Sequence, residues 1–157
     1  MLDALLVDVD RHLRRAEESL HAVQLCVVQD RPDEQHHDHK LVQDLDDRLS
    51  ATLGDLHGAR SAAQTAAQAV RRGDPAATCR AMERSSRCLL ATGRRLRDHP
   101  AAGVLRRQAR AWGPRWSAWA EVVAAGLADA REAVDRAENT SVTAWAAVAD
   151  RMTVRKG

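Results

Sequence analysis

From Leu2 to Val27 the apolar residues recur at alternating steps of four and three: Leu2, Leu6, Val9, Leu13, Ala16, Leu20, Val23 and Val27. That spacing puts all of them on one stripe of an α-helix, and so narrow a stripe is a seam where helices pack lengthwise. A half-buried strand would alternate at every second residue instead. The rhythm returns at Val42, Leu45, Leu49, Thr52, Leu56, Ala59, Ala63, Ala66 and Val70. Two further stretches repeat it: Cys79, Met82, Ser86, Leu89, Gly93 and Leu96, then Trp116, Trp119, Val123, Leu127, Ala130, Val134 and Ala137. Past Glu138-Asn139-Thr140 the register reads as moved to Val142, Trp145, Ala149 and Met152, which predicts a stutter or a true break.

The stops between seams are equally explicit. Pro32 disfavours helix in the residue before it and closes the first segment near Gln29. The second runs from about Asp38 to Arg72 and ends on Gly73, a glycine at the usual left-handed cap position. Asp74-Pro75 then offers an N-cap followed by proline at the first helical position. Pro100 interrupts the third segment, Asp98 is a candidate cap for a short helix from Ala101 to Trp112, and Gly113-Pro114 restarts the chain. Short links between long amphipathic helices make neighbours antiparallel. The expected fold is all-α: an antiparallel up-down-up-down four-helix bundle with the third helix kinked or broken near Pro100. Residues 1–152 form one domain, and 153–157 are a frayed tail. Composition agrees, because Phe and Tyr are absent and the strand-favouring residue types are few.

Several function classes lose support at once. No apolar run approaches the ~18 residues of a membrane span. The opening residues carry Asp3 and Asp8 and lack a basic signal-peptide region, so a cytoplasmic, bacterial location is expected. Cys26, Cys79 and Cys88 are odd in number and match no zinc or disulfide spacing. Phosphate-cradling glycine loops and a Gly-x-Ser-x-Gly elbow are missing, so neither catalysis nor a cofactor is expected.

Two constellations invite metal chemistry. His36, His37 and His39 lie among Asp33, Glu34 and Asp38, and imidazole with carboxylate suits zinc, nickel or copper. The same stretch opens a helix, where acids serve capping and the helix dipole; a solvated turn is the plainer reading. Glu18-x-x-His21 and Glu34-x-x-His37 fit half of a di-iron bundle motif, but the later helices supply no second half.

Charge is distributed unevenly. Residues 1–70 hold seven bases and thirteen acids, whereas residues 71–115 hold twelve arginines and three acids. A basic block can meet an anionic partner or complement acidic faces of its own bundle. Within it, Trp112, Trp116 and Trp119 interleave with Arg106, Arg107 and Arg110. Arg with Trp suits single-stranded nucleic acid through phosphate contact and base stacking, or a protein-interface hot spot. Trp as core filler is the plainer alternative. The first helix also carries apolar residues off its seam, namely Leu5, Val7, Leu25, Cys26 and Val28, which predicts a protein partner or a homo-oligomer. The expected function is therefore a non-enzymatic interaction, scaffold or small regulatory protein. A nucleic-acid-associated protein using residues 71–115 is the first alternative, and a metal-binding bundle using His36, His37 and His39 is the second.

Overall fold

A computed structural model describes residues 1–32, 39–97 and 101–156. Among them lie five helices and no strand: α1 (Leu2–Gln29), α2 (His39–Arg72), α3 (Pro75–Arg97), α4 (Ala101–Trp112) and α5 (Pro114–Lys156). The third helix, expected to be kinked or broken near Pro100, is two helices, α3 and α4, the second over the expected Ala101–Trp112, so the described residues hold five helices rather than four. Pro100 lies between α3 and α4 and brings no N–H to a helical ladder.

The α2–α3 turn forms from its own residues. Gly73 sits at φ 70°, and the amides of Gly73 and Asp74 donate to Val70 and Ala69 carbonyls at 3.0 Å each, closing α2. Asp74 Oδ1 then accepts the Ala77 amide at 3.0 Å and caps α3 behind Pro75. Gly113, at φ 119°, turns the chain from α4 into Pro114 of α5.

α1 packs along α5 and along α2; α2 also packs on α3, and α5 on both α3 and α4. Direction follows from individual contacts. Trp119, near the start of α5, donates its ring N–H to the Cys26 carbonyl near the end of α1 at 3.0 Å. Ala144 and Val148, near the end of α5, share a cluster with Leu2 and Leu6. α5 therefore runs antiparallel to α1. Arg60 of α2 reaches Asp10 and Glu17 of α1, and Gln24 reaches Asp46, so α2 is antiparallel to α1 too. Arg95 meets Asp55 at 2.6 Å between α3 and α2, and the Trp145 ring N–H donates to Ser86 Oγ at 3.0 Å between α5 and α3.

All eight seam residues of α1 are buried, and Leu13, Ala16, Leu20 and Val27 are fully so. Four of the six expected positions of the third seam, Met82, Leu89, Gly93 and Leu96, are buried, and two are corrected. Thr78, Ser85 and Thr92 are buried, seven apart, where Cys79 and Ser86 had been expected, and those two are half-buried. The hydroxyls are satisfied inside. Thr78 and Thr92 donate to carbonyls four residues back, and Ser85 donates to the Ala59 carbonyl of α2 at 3.3 Å.

α5 is corrected as well. It passes residues 138–140 without a break, and Ala144 and Val148 turn inward while Val142 is 69% and Met152 57% exposed. The heptad of Ala130, Ala137 and Ala144 simply continues. Residues 153–156, expected as frayed, extend this helix, and Thr153 Oγ1 donates to the Asp150 carbonyl at 2.8 Å. At 43 residues α5 is about 64 Å long.

Candidate functional site

The tryptophans singled out as interaction candidates form an edge-to-face row. Trp112 and Trp116 have ring centroids 5.1 Å apart, and Trp116 and Trp119 5.3 Å. Trp116 and Trp119 are buried and belong to the core, and Trp112 is half-buried against it. The row fills volume between α4, α5 and the end of α1, so Trp116 and Trp119 are not available as a stacking platform. In a chain without Phe or Tyr, Trp is the one aromatic able to occupy that space.

The basic block divides by what each arginine meets. Arg106 grips Glu121 through two contacts, at 3.0 and 3.2 Å, and ties α4 to α5. Arg95 pairs with Asp55, Arg97 lies 3.9 Å from Glu138, and Arg71 lies 3.9 Å from Asp3. Arg107 and Arg110 are exposed. A second exposed set was not singled out from the sequence: Arg80, Arg84, Arg87 and Arg94 of α3. They occupy the face opposite Thr78, Ser85 and Thr92, and none has an ion pair or hydrogen bond among the described residues. The signal was present, since Arg80, Arg87 and Arg94 recur every seven residues.

Off-seam apolar residues of α1 also separate. Leu5 is half-buried and packs on the cluster around Leu2, Leu6, Ala144 and Val148, so it does not form exposed surface. Val7 is 39% exposed, Leu25 53% and Val28 54%. Val122 of α5 is 59% exposed and follows Trp119 by three residues, which places it at the same end of the α1–α5 pair as Leu25 and Val28.

Several titratable groups are moved from their ordinary range. Arg60 bridges Asp10 at 2.9 Å and Glu17 at 2.8 Å, and its hydrogen bond holds the Glu17 carboxyl below the usual carboxylate range. Burial pushes the Glu138 carboxyl up, with Arg97 opposing it. Glu138 Oε1 is buried without a hydrogen-bond partner. Burial, assisted by Asp30, also raises the Cys26 thiol, which disfavours the nucleophilic thiolate.

Among the described residues no group of three or more His, Cys, Asp and Glu is placed to hold a metal. His36, His37 and the side chain of His39 lie outside the described residues. Glu18 and His21 are both exposed on α1, away from the interior that a di-iron site would require. No described helix is long and apolar enough to cross a membrane. No protein-family model matches the chain, and searches of curated proteins and of solved structures find no match to it.

Proposed function

We propose that this is a non-enzymatic helical interaction protein, a scaffold or small regulatory subunit of a bacterial cytoplasm that works through protein–protein contacts. Its five helices act as one antiparallel bundle of four legs, with α3 and α4 together as the third. The supporting observation is the apolar surface at one end of the α1–α5 pair, where Leu25, Val28 and Val122 are each more than half exposed. Single exposed aliphatics are ordinary on a protein surface. Three at one end of a helix pair leave apolar area that a partner or a second copy would remove from water. Leu25→Gln with Val28→Gln tests this by sedimentation and circular dichroism. The expected result is weaker association with helicity retained. A wild-type chain that stays monomeric at high concentration and purifies without a stoichiometric host partner would overturn it.

A nucleic-acid role is the second proposal. Burial of Trp116 and Trp119 removes the stacking component first expected of it. The exposed arginine face of α3 supports it on phosphate contact alone.

A further inference from the structure

We infer that the outer face of α3 is a docking surface for duplex nucleic acid, held by its phosphate backbone through Arg80, Arg84, Arg87 and Arg94. The inference rests on the nucleic-acid role just proposed, and moves the contact from Arg106, Arg107 and Arg110 to a different helix.

Four observations carry it. α3 holds six arginines and a single acid, Glu83. The arginines divide by function: Arg95 and Arg97 turn toward carboxylates of α2 and α5, while the other four are exposed and meet no acid among the described residues. Those four form a stripe about 21 Å long from Arg80 to Arg94. A duplex presents one phosphate charge per roughly 1.7 Å of its axis and can run along such a stripe. Finally, α3 is held in place from behind. Ser85 donates to the Ala59 carbonyl, Trp145 donates to Ser86, and Gly58 brings α2 close enough that an added Cβ would sit 3.2 Å from Cys88 Sγ.

Duplex is favoured over single strand by the aromatic inventory. Single-strand binders combine basic grooves with exposed rings on which bases stack. Here Trp116 and Trp119 are buried, Trp112 packs on the core, and Trp145 is half-buried with its ring nitrogen on Ser86. An acidic protein is disfavoured because interface hot spots cluster Arg with buried aromatic anchors, and α3 carries no aromatic residue. Leu90 at the border of the stripe is the large apolar residue nearest to an anchor.

The test is fluorescence anisotropy of the full chain with a labelled duplex and a single strand of the same length, across a salt series. Four phosphate contacts give a log–log salt slope of about −3.6 and an affinity loss on the order of 100-fold between about 50 and about 200 mM salt. Arg84→Gln with Arg87→Gln should halve the slope and reduce that loss to on the order of tenfold. Both positions are exposed, so helicity and melting temperature should stay at wild-type values. Arg107→Gln with Arg110→Gln should leave duplex binding unchanged. Binding that ignores the α3 variant but falls with the α4 variant overturns the α3 assignment while the nucleic-acid role survives. Absence of salt-sensitive binding to either strand form overturns both. Tighter binding to the single strand with quenching of tryptophan, or equal affinity for polyglutamate through the same arginines, overturns the choice of duplex.

Discussion

Gly126 and Gly54 share a residue type and a helical setting, yet opposite consequences follow from their neighbours. At Gly126, α5 crosses α1 so closely that an added Cβ would overlap Val23 Cγ2. Gly126→Ala should therefore destabilise the chain by about 1–3 kcal/mol, the usual cost of overpacking. Nothing lies within 4 Å of a Cβ added at Gly54. Gly54→Ala should stabilise by about 0.5–1 kcal/mol, since alanine loses less backbone entropy in a helix. Urea denaturation of both variants checks the pair, and equal midpoints would refute the close approach. Glu138 adds a pH dependence. Its carboxyl is raised in the folded state by burial, so its favourable contribution is present below the ordinary carboxylate range and lost as pH rises through the folded value. Glu138→Gln should be more stable than wild type at neutral pH, with the difference closing on acidification. Glu17 carries the opposite sign. Held low first by the Arg60 hydrogen bond, it stabilises above the ordinary carboxylate range and loses that contribution as pH falls through its folded value.

Beside the buried Leu and Val side chains, small residues and single polar ties join the helices of this protein. α2 presents Ala59, Ala62, Ala63, Ala66 and Ala67 to the interior, and α5 presents Ala120, Ala130, Ala137 and Ala144. Such faces allow close packing but bury little area per residue, which raises the weight of each directed contact. Between α1 and α5 that contact is the Trp119 ring N–H on the Cys26 carbonyl, inside the core. Trp119→Phe removes the donor and part of the ring. It should cost about 1–3 kcal/mol in denaturant-induced unfolding. The loss should appear first as faster amide exchange at the end of α1. Uniform exchange along α1 in this variant would mean that the bond does not clamp the two ends together.

Across the whole molecule, opposite charges meet between helices at Arg60 with Asp10 and Glu17, Arg95 with Asp55, and Arg106 with Glu121. Part of the basic block is thereby neutralised within the chain, while α3 keeps its exposed arginine face. If the Leu25 and Val28 end mediates self-association, the melting temperature should rise with protein concentration, because association stabilises only the folded state. The rise should vanish in the Leu25→Gln and Val28→Gln variant. A concentration-independent melt for wild type would contradict self-association there. Chelator should leave the melt unchanged if His36, His37 and His39 are a solvated turn; a large drop would restore them as metal ligands.

The helical identity of the chain and its α2–α3 turn were legible in the sequence, because each rests on neighbours within one or two turns: the seam of α1, Gly73 closing α2, Asp74 capping α3; the Asp98 cap lies outside the described residues. Hydrophobic pattern also located most of the core of α1 and α2. What failed was the inward face wherever polarity and position disagreed. Thr78, Ser85 and Thr92 look like surface residues until their hydroxyls find carbonyls, and half-buried Ser141 holds a seam position while Val142 beside it draws the eye to a false shift. The division of the arginines was likewise invisible, since a guanidinium that meets Asp55 and one that meets water are the same letter. Local periodicity determined the helices; which side of each helix is inside, and which charges are used up, was decided only when residues distant in the chain came together.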